Sequence, residues 1–452
     1  MLYLPLNFNG IGMLLRLIAE NITSFKEAVE FNTFPSSKSH SHENHKVVCG
    51  HATALRMSAI YGANGAGKSN LLQALNLLQT LVKAETLRKI DFYDGLAFRF
   101  ASQNREKPSG LAIEFYYGKN IFYYHIEFSP EEILMEELLL SKKTKDIKLF
   151  LRKGEDFSIN SEYVGKGITK QFQDALKRLV RPDMLLLSFI GKYYSSEAPL
   201  VVDAYQWFVK NLQLVLPNSK HAFVPHLIDT DSNFAELVNA ILPELKTGID
   251  KLLVKKELIS EEEVKSGELM QLVKLAKEHP GEPQSMMSRY SDDVNVIYED
   301  GNVYLKTLLA VHKNLEGADV EMSLRDESDG TRRLIDYMPL LYVIIQKNRV
   351  YVVDEIERSI HPIVIKEVVR KLSESETAKG QLIFTTHESG LLDQNIFRPD
   401  EIWFAQKDAE QATQLYPLSD FDIHKTANIE NGYLNGRYGG IPFLSNLRDL
   451  HW

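Results

Sequence analysis

The chain has 452 residues, 44% of them apolar, enough to bury the core of two or three domains. Its 52 lysines and arginines stand against 61 aspartates and glutamates, and the resulting formal charge of −9 excludes a wholly basic coat for nucleic acid. A single cysteine, Cys49, excludes an intramolecular disulfide framework and fits a reducing cytosol, and nothing approaches an uninterrupted apolar run of about 18 residues, so a cytoplasmic protein with no membrane partner is expected.

The opening "MLYLPLNFNGIG" lacks the basic start and long apolar centre of a secretion signal, and Met13 is a second candidate for the start. From Met13 to Phe34 the pattern alternates as two short strands around a polar turn, and "LRMSAIY" (55–61) is a strand running into a glycine loop and a helix. Between them, "PSSKSHSHENHKVVCGH" carries His40, His42, His45 and His51, which a solvated surface loop explains more simply than a metal site. After the helix, "GLAFRF", "LAIEFYYG" and "NIFYYHIEFS" (95–129) are expected to form antiparallel strands with a turn at Gly118-Lys119-Asn120. Helical periodicity dominates from 131 to 290, without heptads or internal repeats. Strands return with "VNVIYEDGNVYL" (294–305), where Asp300-Gly301 suits a hairpin turn, and "DVEMSLRDESDG" resumes the alternation. "RVYVVDE" and "QLIFTTHE" are short apolar runs ending in charged residues, as buried parallel strands do when they deliver side chains to a site at their carboxyl ends. The expected class is α/β. A nucleotide lobe has its first half at 13–130 and its second at 291–452, with a helical insertion at 131–290 between them.

Gly62-Ala63-Asn64-Gly65-Ala66-Gly67-Lys68-Ser69 fits G-x-x-x-x-G-K-[ST] in full, between a strand and a helix. Glycines let backbone N–H groups curl round phosphates, Lys68 reaches the β and γ oxygens, and Ser69 offers a hydroxyl to magnesium. Asp354 and Glu355 end the "VYVV" strand, the first acid suited to the magnesium shell and the second to polarising a water, although an exposed acid pair at a strand end is common. His387 closes "LIFTTH", the next apolar run after those acids, where it can hydrogen-bond a γ-phosphate or serve structure alone. In "ESDGTRRLIDYMPLLYVII", Ser328 and Gly330 precede a helix; they can cap it or form an anion site.

Taken together these elements resemble the ABC-type ATPase superfamily, in particular the heads of SMC-like and RecF-like proteins and the "AAA family" ATPases of the overcoming-lysogeny-defect and abortive-infection group. "GANGAGKSN" is similar to the Walker A motif of that group, extending it to Asn70, "VVDEIERSIHP" to its Walker B and D-loop, "ESDGTRRL" to its degenerate signature, and "TTHE" to its switch histidine. "SFKEAVEF" and "YLNGRYGGIPFL" carry the resemblance over nearly the whole chain. It implies a mixed sheet with a P-loop core, an antiparallel β-subdomain, and ATP with Mg2+ as cofactors. It also implies a homodimer or higher homo-oligomer of facing heads, with Ser328 and Gly330 acting in trans and the D-loop residue Ser359 near the dimer seam. The signature departs from LSGGQ, and Gln103 is a weak candidate for the Q-loop.

The span from Lys68 to Ser328 is far longer than a transporter subdomain needs, and the stretch after His387 shows no TOPRIM-like or HNH-like acidic array. The expected function is an ATP-hydrolysing sensor or scaffold of a bacterial anti-phage defence system that controls a separate effector, a nuclease or toxin. The alternative is a RecF/SMC-like DNA-binding ATPase, for which "SKKTKDIKLFLRK" offers a run of lysines and arginines with a single aspartate among them.

Overall fold

A computed structural model describes residues 11–90, 96–165, 168–220, 223–259, 267–285, 294–424 and 427–441. They fall into two units: a larger one from Asn9–Pro217, Ile344–Glu357 and Lys366–Trp452, and a smaller one whose main part is Asn218–Val343 with Arg358–Ile365.

The larger unit opens with β1 (Gly12–Glu20) and β2 (Val29–Asn32), the strand pair that the N-terminal alternation predicts. A hairpin of β3 (Lys46–Cys49) and β4 (Ala52–Leu55) follows, then β5 (Met57–Tyr61) and α1 (Lys68–Ala84). Next come β6 (Ser109–Tyr117), β7 (Asn120–Phe128), β8 (Ile133–Ser141), β9 (Ile147–Lys153) and β10 (Asp156–Ile159). They join β1 and β2 in a seven-stranded antiparallel sheet of order β10-β9-β8-β7-β6-β1-β2. Period-two alternation decides which face is buried: β7 buries Phe122, Tyr124, Ile126 and Phe128 and leaves Tyr123, His125 and Glu127 half-buried. The buried face meets an aromatic cluster in which Phe115 stacks on Trp207 at 4.3 Å and Tyr124 meets Phe208 edge-on at 5.8 Å.

Residues 131–290 hold helices, as their periodicity implies, and strands as well. The helices of this part of the larger unit are α2 (Ser161–Val164), α3 (Lys170–Leu179), α4 (Leu186–Tyr193) and α5 (Pro199–Gln206), followed by β11 (Leu212–Val215). The strands β8 to β10 come from "ILMEELLLS", "IKLFLRK" and "DFSI", where alternate burial holds over short spans, Glu136, Leu138 and Leu140 in β8 and Phe157 and Ile159 in β10, a pattern shorter than the helical stretches around it. Two further expectations change. Residues 96–100 form bends and a turn, because Asn21 organises this loop: its Oδ1 accepts the Phe98 N–H at 3.3 Å, and its Nδ2 donates to the carbonyls of Asn104, Lys107 and Pro108 at 2.8–3.1 Å. Gly95 lies outside the described residues. His45 is fully buried and not part of a solvated loop, its Nδ1 2.8 Å from Glu401 Oε1 and its Nε2 2.9 Å from the Ser373 carbonyl. Arg398, also buried, fixes the same segment by reaching Asp400 at 2.9 Å and the carbonyls of Ser39 and Ser41.

The smaller unit contains α6 (Val224–Thr230), α7 (Ser232–Glu244), β12 (Lys251–Leu258), α8 (Glu268–Glu278), β13 (Val294–Glu299), β14 (Asn302–Lys313), β15 (Asp319–Ser323) and the start of α9 (Asp329–Gln346). The β13–β14 hairpin turns at Asp300 and Gly301, with φ of +50° and +81°, the left-handed pair that Asp-Gly supplies in a two-residue turn. Lys306 of β14 is fully buried and paired with Asp229 at 2.7 Å.

Back in the larger unit, β16 (Val350–Val353), α10 (Pro362–Glu374), β17 (Gln381–Thr385), β18 (Ile402–Lys407), β19 (Thr413–Pro417) and α11 (Ile429–Leu434) complete the fold. The six-stranded core sheet has the order β11-β16-β17-β5-β18-β19, parallel throughout except for β19. "VYVV", "QLIFT" and "MSAIY" are buried at every position, as strands covered on both faces must be. Parallel pairing brings the carboxyl ends of β16, β17 and β5 to one edge of the sheet. Among the described residues no helix is long and apolar enough to cross a membrane.

Burial pushes the Glu401 carboxyl up from its usual range, and the hydrogen bond from His45 pulls it back. Replacing His45 by alanine leaves that carboxyl with the Arg398 N–H as its remaining donor, and the expected loss is about 3–5 kcal/mol, as when one member of a buried pair is removed. A chemical denaturation midpoint equal to wild type would contradict it.

Candidate nucleotide site

The loop between β5 and α1 has the backbone its glycines demand. Gly65 and Gly67 have φ of +76° and +106°, and Gly67 stands at the N-cap of α1. A Cβ at Gly67 would lie 2.1 Å from Thr413 Oγ1, and one at Gly62 would lie 2.5 Å from the Ala405 carbonyl. The loop is thus pressed between β18 and β19 and the turn after β1. Thr413 Oγ1 sits 2.9 Å from the Ala66 carbonyl and 2.8 Å from Ser24 Oγ, to which Asn70 Nδ2 donates at 2.7 Å. Asn70 therefore braces the loop from behind, while Asn64 and Gly65 are exposed at its tip.

Lys68 is buried, and its Nζ donates to the carbonyls of Gly62 at 2.8 Å and Ala63 at 3.2 Å. Burial lowers its pKa to about 8, against the pull of Glu357, Asp354 and Glu355, so the ammonium form still dominates at neutral pH. Ser69 Oγ donates to Asp354 Oδ1 at 3.2 Å. These two hard oxygens suit magnesium, which takes the remainder of its six ligands from phosphates and water. The helix N-terminus and the curled loop backbone face the same place, a cradle for a triphosphate.

Thr385, the last residue of β17, was not legible as a site residue. Its hydroxyl donates to Asp354 Oδ1 at 2.5 Å and accepts the Glu355 N–H at 2.8 Å. The main chain beside it is fixed equally closely: Asp354 N–H reaches the Val215 carbonyl at 2.9 Å and Ile356 N–H the Thr385 carbonyl at 3.1 Å. Glu355 itself has φ +50°, a left-handed conformation that costs a non-glycine residue on the order of 1 kcal/mol and persists only where its surroundings over-determine it. The only sequence clue to Thr385 was its place in "TTH" at a strand end.

His387 lies just beyond β17, with Nδ1 3.4 Å from Lys68 Nζ. Partial desolvation, followed by the Lys68 charge, holds its pKa below the usual histidine value despite the carboxylates of Glu357, Glu355 and Asp354. Lys68, Ser69, Asp354, Glu355 and His387 thus belong to one edge of one sheet. Ser328, Gly330 and Ser359 belong to the smaller unit. There Ser328 Oγ accepts the Thr331 N–H at 3.1 Å, capping α9, and a Cβ on Gly330 would lie 2.6 Å from the Ser359 carbonyl. Gln103 is exposed. The basic run of 141–153 forms the β8–β9 hairpin, where Lys148 pairs with Glu137 at 2.9 Å and buried Arg152 donates to the carbonyls of Gly154, Arg181, Pro182 and Met184.

A parallel core sheet with a phosphate loop at its carboxyl edge, an acidic strand end beside it and a flanking antiparallel sheet define an α/β ABC-type ATPase head. Residues 57–393 match the AAA_21 family, described as "AAA domain, putative AbiEii toxin, Type IV TA system", and the chain belongs to that family. No curated protein sequence matches it. Solved structures similar to it include the SMC head bound to the C-winged helix domain of ScpA, at 14% identity and TM-score 0.42, covering 89% of this chain and 97% of that one. The SMC head domain from Thermotoga maritima shows 12% identity and TM-score 0.37, covering 91% and 99%. The Smc head with an extended coiled coil bound to the C-terminal domain of ScpA, from Pyrococcus furiosus, shows 12% and 0.42, covering 90% and 96%.

Thr385→Val keeps the shape of the side chain and removes both of its hydrogen bonds. Magnesium-dependent nucleotide affinity is expected to fall about 10–100-fold, as when a residue orienting a metal ligand is lost. Titration with and without magnesium checks this, and an unchanged affinity would mean that Asp354 holds its place unaided.

Proposed function

We propose that this protein binds and hydrolyses ATP with Mg2+, and that it serves as the sensor or scaffold subunit of a bacterial anti-phage defence system, controlling a separate effector such as a nuclease or toxin. The observation that carries the enzymatic part is the convergence of Lys68, Ser69, Asp354, Glu355 and His387 on one sheet edge, with Thr385 tying the two acids together. The defence reading draws on the resemblance to the abortive-infection group and on the toxin–antitoxin description of the family.

In this mechanism Lys68 and the loop N–H groups hold the β- and γ-phosphates. Ser69 and Asp354 are the residues that would hold the magnesium ion, which when bound neutralises charge developing on the phosphate oxygens. Glu355 takes a proton from the attacking water, and His387 hydrogen-bonds the γ-phosphate. Ser328, Gly330 and Ser359 act on the site of a second copy, so that ATP joins two heads and hydrolysis parts them. The DNA-clamp alternative has less support, since Lys148 and Arg152 of its basic run are engaged with Glu137 and backbone carbonyls.

Glu355→Gln is expected to leave ATP binding intact and reduce turnover by at least about 100-fold, while Lys68→Ala weakens both. Turnover unchanged in Glu355→Gln would remove the catalytic reading and leave a structural nucleotide. Light scattering of Glu355→Gln with and without ATP tests the pairing of heads: a doubled mass with ATP is expected, and the same mass in both conditions counts against it. Copurification of the product of a neighbouring gene tests effector control.

A further inference from the structure

We infer that Glu357 is a positioning residue of this site, whose carboxylate holds the backbone of His387 and thereby sets the imidazole against Lys68. The inference rests on the ATPase reading above and adds to it a residue that lies within "VVDEIERSIHP" but has no role of its own in that motif.

The first observation is where the backbone hydrogen bonds go once β17 ends. Thr386 N–H still reaches the β5 neighbour, through the Ile60 carbonyl at 3.1 Å. His387 N–H is the next in line, and Glu357 Oε1 takes it at 2.6 Å, a short bond of the charge-assisted kind. Glu388 N–H then goes to Thr386 Oγ1 at 3.0 Å. The turn that presents the imidazole is therefore held from outside its own strand by one carboxylate oxygen.

The second observation concerns the other oxygen. Glu357 Oε2 is buried and has no hydrogen-bond partner among the described residues. Glu357 as a residue is half-buried, yet this oxygen is shut from solvent without a donor, an arrangement that packing alone does not favour. The charge it feels most directly is that of Lys68, on which Glu357 acts more strongly than Asp354 or Glu355 do, as it also does on His387. Glu357 is also the foremost charge acting on the buried, unpartnered hydroxyl of Tyr61, the residue that precedes the phosphate loop.

The third observation is its place in the chain. Glu357 closely follows Glu355, on the segment that Thr385 already ties to β17. The ends of β16 and β17 are therefore cross-linked by the Thr385 hydroxyl to Asp354 and Glu355, by the Thr385 carbonyl to Ile356, and by Glu357 to His387, which couples the position of the histidine to that of the acids.

The test compares Glu357→Gln, which keeps an oxygen acceptor, with Glu357→Met, which keeps volume without one. Hydrogen exchange of the full chain, resolved to single amides by electron-transfer fragmentation, reads the bond without reference to activity. The His387 amide is expected to be protected in wild type and in Glu357→Gln, and to exchange at least about 10-fold faster in Glu357→Met, while the Phe384 and Thr385 amides keep their protection. In turnover, Glu357→Met should lower kcat about 10–100-fold with KM changed far less, and Glu357→Gln should recover most of that loss. Equal exchange in wild type and Glu357→Met, or turnover unaffected by Glu357→Met, would overturn the inference, as would a Glu357→Gln as impaired as the methionine variant. Should Glu357→Met not fold, rapid exchange of the His387 amide in wild type would overturn it equally. A wild type with no ATP turnover would sink the ATPase reading, and the exchange comparison would still decide whether Glu357 holds His387.

Discussion

The Thr385 hydroxyl takes the N–H of Glu355 and gives its own proton to Asp354, and the phosphate edge of the larger unit is arranged around that pair of bonds. The two acids are adjacent in sequence, so an extended strand would send them to opposite faces of the sheet. They serve one site only if the chain bends sharply between them, and the bend appears as the left-handed conformation of Glu355. Such a conformation survives when neighbouring groups leave no alternative, and here each N–H from Asp354 to Ile356 has an assigned acceptor on β11 or β17.

The opposite wall of the site depends on closeness of packing. Gly62 and Gly67 lie where any Cβ would run into Ala405 or Thr413, so the loop's path is set as much by β18 and β19 as by its own residues. Burial of Lys68 in this cradle lowers the cost of moving a proton from its ammonium, and the nearby carboxylates restrain that change. The balance leaves a cation with few competing waters, which strengthens its attraction for phosphate oxygens.

Much of this was readable from the chain because the phosphate loop is contiguous: its glycines, lysine and serine sit in one short stretch, and local rules suffice. The buried strands that end in Asp354 and His387 were legible for the same reason, as apolar runs stopped by charge. Thr385 and Glu357 were not, since a threonine at a strand end and a glutamate after an acid pair carry no local mark, and their meaning comes from partners at the end of a neighbouring strand. His45 shows the reverse case. Its polar neighbours in sequence imply solvent, whereas the side-chain partners that hold its ring, Ser373 and Glu401, come from the far end of the chain. The strands β8 to β10 are hidden in the sequence because their alternation is brief beside the longer helical stretches that follow.

The order of strands in the core sheet also bears on how the protein is made. β5, which carries the phosphate loop, has β17 and β18 as its parallel neighbours, and Met57 pairs with Leu382, so most of the sequence lies between the two partners. The antiparallel sheet, by contrast, pairs β6 through β10 in chain order, so it can form while the ribosome is still at work. The strand that opens the nucleotide site must wait, unpaired and almost wholly apolar, until β17 and β18 emerge. Nucleotide cannot assist the nascent chain, and a prematurely terminated product would carry an intact glycine loop with no sheet to hold it.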